Sequence, residues 1–171
     1  LFQLLLLISY GLDGFAHAAE AMVGKAVGAK SRSGFLAACK STSLWALITA
    51  LLFTSFFTLL QNQLLALFTN IPSVIGIAKE YYIFIIALPI LGVWGYQLDG
   101  IFIGAGKTKA MQNTMLLSVF VFFIPIWWIF RDYDNKGLWL AFCVFMLSRG
   151  LLLGAVFLHF QRSDRWFTDR S

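Results

Sequence analysis

Residues 81–104 read YYIFIIALPILGVWGYQLDGIFIG, a stretch of 24 residues with a single charge, Asp99. About 20 apolar residues in a helix cover the roughly 30 Å hydrocarbon core of a bilayer, so this stretch predicts a membrane-spanning helix. Its one acid is costly there. An ionisable side chain at the middle of a span costs about 2.5 to 3.5 kcal/mol or more, normally faces a bundle interior or a wet cavity, and marks an ion or substrate pathway. The phrase around it, Tyr96-Gln97-Leu98-Asp99-Gly100-Ile101, has a counterpart near the start of the chain, Tyr10-Gly11-Leu12-Asp13-Gly14-Phe15.

The rest of the chain has the same character. Of its 171 residues 60% are hydrophobic and 12% charged, against about 25% charged in an average soluble domain. The composition predicts an all-α membrane protein whose partner is the lipid bilayer. Five spans are expected, roughly 1–29, 35–60, 81–104, 111–130 and 138–160, forming one bundle over residues 1–161 with a cytoplasmic tail at 162–171. The segment 61–80 is too polar to span and reads as an interfacial connection, with Asn70-Ile71-Pro72-Ser73 as a turn and a helix start. The net charge of +5 comes from basic residues placed between apolar runs, where membrane orientation explains them, so no nucleic-acid partner is expected. Cys39 and Cys143 lack metal-ligand spacing and read as packing residues. Because the chain opens on Leu1 inside an apolar run, it is expected to be a piece of a longer protein.

Lysines and arginines divide unequally between the two sides of the predicted spans. Lys25, Lys30, Arg32, Lys40, Lys107, Lys109, Arg162, Arg165 and Arg170 fall on one side, and Lys79, Arg131 and Lys136 on the other. Short cytoplasmic loops accumulate basic residues, which makes Leu1 extracytoplasmic and Ser171 cytoplasmic. Tyr81, Tyr82, Trp127, Trp128, Tyr133 and Trp139 fall at the outer ends of their spans, as an interfacial aromatic belt requires.

Tyr10, Asp13, His17, Glu20 and Gly24 follow a spacing of 3, 4, 3, 4, which lines one helix face with polar groups. Gly24-Lys25-Ala26-Val27-Gly28 adds a GxxxG that favours close helix approach. A carboxylate held away from water can load and release a proton near neutral pH, and Asp13 and Glu20 also offer hard oxygen donors to sodium. Counted back from the cytoplasmic ends at about 1.5 Å per residue, Glu20, Asp99 and Arg149 lie roughly 10 to 16 Å deep and Asp13 near 20 Å. The expected coupling core is therefore Asp99 with Glu20, and Asp13 serves as relay or cavity partner. Arg149, the single cation in the middle of a span, pairs with Asp99 or Glu20. Tyr10, His17, Tyr96 and Gln97 are the expected cavity-lining residues. Pro89 should free the carbonyl of Ile85, and Pro125 that of Val121, each giving a kink whose exposed oxygen can line a cavity. A membrane-embedded enzyme holding a metal on Asp13, His17 and Glu20 is the alternative chemistry, but no second ligand cluster completes its shell.

The runs Leu12-Asp13-Gly14-Phe15-Ala16, Ala19-Glu20-Ala21-Met22-Val23-Gly24 and Gly28-Ala29 resemble a DinF-type transporter of the multidrug and toxic compound extrusion (MATE) family. So do Leu67-Phe68-Thr69 with Ala78 and Tyr81-Tyr82, the run from Leu98-Asp99-Gly100 to Gly104-Ala105-Gly106, and Leu138-Trp139-Leu140-Ala141 with Arg149-Gly150. The resemblance implies helices eight to twelve of a twelve-helix protein, most of its second six-helix lobe, in a bacterial cytoplasmic membrane. It also implies export of small amphipathic or cationic drugs or toxic metabolites in exchange for protons or sodium, with no cofactor, and a first lobe contributed by the same chain. Asp99 matches the region of the tenth helix where sodium-coupled relatives place a cation-binding acid. A lipid-linked oligosaccharide flippase of the same superfamily is the runner-up, though it would favour a strongly basic cavity and only Arg149 is available.

Overall fold

A computed structural model describes residues 1–163 and 165–167, and among them every regular element is helical. The first helix, α1, runs Phe2–Gly28 and α2 runs Arg32–Leu59. Between them Lys30 takes a left-handed φ of 51° and the Ser31 N–H donates to the Ala26 carbonyl, a closure that satisfies the end of α1. Ser31 then caps α2, its hydroxyl accepting from the Gly34 N–H at 3.1 Å.

A short α3, Gln61–Phe68, leads to α4, Pro72–Gly104, with proline in its first turn. The fourth membrane segment is composite: α5 (Thr108–Leu117), a π turn (Ser118–Phe123) and α6 (Ile124–Ile129). A single 3₁₀ turn, Arg131–Tyr133, reverses the chain into α7, Asp134–Ser163.

Four helical segments have both the length and the apolarity to cross a membrane: Arg32–Leu59, Pro72–Gly104, Thr108–Ile129 and Arg131–Ser163. The sequence predicts five such spans. The 27-residue α1 is long enough, but it carries Gln3, Tyr10, Asp13, His17, Glu20 and Lys25 and is not among the four.

Helix α4 is central and packs against α1, α2 and α7, while the composite helix packs mainly on α7. The expected interfacial connection does not reach residue 80. No proline lies between Pro72 and residue 80, so α4 starts there and its 33 residues extend about 50 Å. Tyr82 consequently lies fully buried in the core instead of in an aromatic belt. Trp127, Trp128 and Tyr133 are exposed.

Two apolar clusters hold the bundle. One contains Leu4, Ile8, Leu12, Ala50, Phe57, Tyr82, Ile85 and Leu88. The other lies at the end where α1 and α4 finish and contains Ala19, Val23, Phe35, Phe102, Leu153 and Trp166. Trp166 belongs to the expected tail, yet it is 2% exposed and its ring lies 5.0 to 5.3 Å from those of Phe35, Phe102, Phe157 and Phe160. Arg170 lies outside the described residues.

The surroundings of Pro89 do not leave a loosened carbonyl open to a cavity. Around Pro89, Ile85 is fully buried and the Thr54 hydroxyl of α2 donates to the neighbouring Ile86 carbonyl at 3.2 Å. Hydroxyl donors of this type re-satisfy backbone groups loosened by proline in membrane helices. Ahead of Pro125 the chain widens into the π turn, where the Ile124 N–H bonds back to Val119.

Candidate ion site

Asp99 of α4 and Arg149 of α7 form an ion pair between the two apolar clusters, each side chain only 14% exposed. Glycines make room for it. The Arg149 stem lies over Gly95, where an added Cβ would sit 3.6 Å from its Cγ and Cδ, and Gly150 lets α7 approach the Trp94 and Gly95 backbone. The guanidinium carbon is 5.5 Å from the centre of the Tyr96 ring, within cation–π range. Tyr96 is itself held by a 2.8 Å hydrogen bond between its hydroxyl and that of Ser9 on α1. The pair is only half satisfied, because Asp99 Oδ1 and Arg149 Nε are buried with no hydrogen-bond partner among the described residues. A buried ion pair normally needs its remaining lone pairs and protons bonded to recover the cost of desolvation.

The contacts between α1 and α4 fix which acid joins this pair. Ser9 meets Tyr96, the Ala16 backbone meets Gly100 and the Glu20 backbone meets Gly104, so residues 84 to 87 apart in sequence face each other on parallel helices. Asp13 and Asp99 are 86 apart and therefore share one level. This corrects the depth count, which puts Asp13 higher and groups Glu20 with Asp99. The count assumes that α1 and α4 end flush. Their register instead carries the end of α1 about two turns past that of α4, which leaves Glu20 beside Gly104. Arg149 pairs with Asp99, and Glu20 pairs along its own helix with His17 at 3.6 Å.

The remaining predicted residues scatter. His17 and Glu20 have side chains 79% and 44% exposed, and Tyr10 is 70% exposed. Tyr10, His17 and Glu20 of the polar stripe thus face outward and Asp13 is half-buried, while Leu4, Ile8, Leu12, Ala19 and Val23 bury the opposite side of α1. Gln97 is fully buried between α4 and α2, its amide donating to the Thr42 hydroxyl at 2.7 Å while its own oxygen has no partner. A cavity of about 490 Å³ between α2, α4 and α7 is lined by Cys39, Trp94, Leu98, Gly150 and other mostly apolar residues, and by none of the predicted site residues.

Asp13, His17 and Glu20 do not converge, and no group of three His, Cys, Asp or Glu side chains able to hold a metal occurs among the described residues. Ser9, Thr42 and Thr54 each make a hydrogen bond between helices, and none of the three is predicted from the sequence. Their only sequence signal is a hydroxyl within an apolar run.

A family model described as MatE matches residues 1–129. DNA damage-inducible protein F of Escherichia coli (strain K12) is 38% identical to the chain over 174 residues, covering 98% of this chain and 36% of that protein. The crystal structure of the eukaryotic MATE transporter AtDTX14 matches with a TM-score of 0.82 at 17% identity, covering 91% of this chain and 36% of that one, a likeness of fold. The chain thus spans about a third of the length of these relatives. Since the family match extends over well more than half of its residues, this chain belongs to the MatE family, whose proteins are transporters and not enzymes.

Proposed function

We infer that this chain forms most of one lobe of a secondary antiporter in the bacterial cytoplasmic membrane, exporting small amphipathic or cationic compounds in exchange for protons or sodium. Asp99 is its coupling acid. The observation that carries this reading is the half-satisfied pair: Asp99 sits in a membrane-length helix with one oxygen on Arg149 and the other without a partner.

Two carboxylates and one guanidinium on a single level leave an excess negative charge, which an entering cation or proton neutralises. Neutralisation biases one arrangement of the lobes over the other, and a ligand shifts such an equilibrium only by its differential affinity for the two states. Helix α1 is the fifth span in this reading, and its outward Tyr10, His17 and Glu20 face the first lobe. The end rich in lysine and arginine is cytoplasmic, following the usual bias of short loops.

In the full-length protein reconstituted into liposomes, Asp99→Asn should abolish export driven by an imposed ion gradient. Asparagine keeps an oxygen for the guanidinium, so expression should be unchanged. Export at the wild-type rate from the variant would overturn the role of Asp99.

A further inference from the structure

We propose that Arg149 is a built-in cation of this site, and that it admits a proton while excluding metal cations such as sodium. The inference rests on the reading of Asp99 as the coupling acid and adds a residue that selects the ion.

Four observations support it. Arg149 already occupies Asp99, so a sodium ion seeking the same oxygens would have to displace a tethered positive charge or lie beside it. The guanidinium is confined, with its stem over Gly95 and its face near Tyr96, which Ser9 fixes in turn. A second carboxylate, Asp13, stands on the same level of the neighbouring α1, so the layer keeps an anion when Asp99 is neutral. Finally, the Asp99 oxygen without a partner can accept a proton without moving the pair. A proton arriving from water bonds to the free Asp99 oxygen and cancels the carboxylate charge while Arg149 stays in place. A proton needs only one free oxygen, whereas a sodium ion needs several oxygen donors at once, finds one on Asp99, and meets the guanidinium at close range in a poorly solvated layer.

The other charged and titratable groups near this level are few. From α4 there is Tyr96, and from α7 Arg149 itself. From α1 there is Asp13, with Tyr10, His17 and Glu20 on the outward face. Lys40, the α2 cation nearest in sequence to Thr42, is exposed.

The test uses the full-length protein as wild type, R149K, R149M, D99N and the D99N/R149M double variant, which removes both charges and controls for folding. Binding of radioactive sodium to purified protein is measured alongside liposome export under a proton gradient without sodium and under a sodium gradient at clamped pH. Wild type and R149K should show no saturable sodium binding, and their export should follow the proton gradient alone. R149M should gain saturable sodium binding that the double variant loses.

Saturable sodium binding by wild type, or wild-type export driven by the sodium gradient, would overturn the proposal without any variant having to fold. So would R149M that purifies as the double variant does yet binds no sodium. Failure of the underlying reading looks different, because D99N would then export at the wild-type rate whatever R149M binds.

Discussion

Thr42 stands at the meeting of two hydrogen bonds in the layer between the apolar clusters. Its hydroxyl donates to the Ala38 carbonyl at 2.8 Å and accepts from the Gln97 amide at 2.7 Å. The Gln97 oxygen already lacks a partner, so Thr42→Val would leave the whole amide buried without a bond. Stranding a buried polar group costs about 1 to 3 kcal/mol. Thr42→Val should therefore lower the thermal unfolding midpoint in detergent while Thr42→Ser holds it, and equal midpoints for the two variants would show that Gln97 finds another acceptor. Asp99 is legible in the sequence because a lone charge in an apolar run stands out. Its partner is not, since Arg149 could reach either Asp99 or Glu20 until the helix contacts chose between them. Thr42 and Ser9 are illegible for a plainer reason: a hydroxyl in a membrane helix usually satisfies itself on its own backbone, as Ser148 does on Phe145.

The pairing of α1 with α4 depends on backbones in near contact. A side chain at Gly100 would run into the Ala16 backbone, and one at Gly104 into the Glu20 backbone. Membrane helices gain little from apolar burial against each other, because lipid is equally apolar, and close packing through small residues takes its place. Gly100→Val should push the helices apart and lower stability by at least the 1 to 3 kcal/mol typical of overpacking, since no side-chain rotation relieves a clash with backbone. Thermal unfolding in detergent tests this, and an unchanged midpoint would refute the contact. The sequence reading picks a GxxxG at Gly24–Gly28, of which Gly24 approaches Gly104 while Gly28 meets nothing. The same spacing at Gly100 and Gly104 carries the packing. Spacing reveals which faces can approach closely, but not which partner is opposite.

Across the bundle, hydropathy makes the helical membrane class readable, because each run long enough to span announces itself. The end of the chain does not. After Ser163 the charges suggest a solvated tail, whereas Trp166 folds back to close the end formed by α2, α4 and α7. Removing a buried aromatic ring costs about 3 to 5 kcal/mol, so Trp166→Ala should loosen that end. Both cysteines are free and buried, and Cys39 shares the Trp166 cluster while Cys143 lies in the other. Mass spectrometry after maleimide treatment of the full-length variant should find Cys39 labelled faster and Cys143 unchanged. Equal labelling of both would mean that Trp166 does not secure this end.

The π turn at Ser118–Phe123 bears on how relatives of this chain can be aligned. A π turn holds about one residue more than an α turn, and each α-helical residue advances about 100° around the axis. A relative with a one-residue deletion between positions 118 and 123 can form an unbroken α-helix with Trp127 and Trp128 on the same wall. The same deletion within Thr108–Leu117 would turn that aromatic pair by more than a quarter of a revolution, so a gap in this span belongs at the π turn.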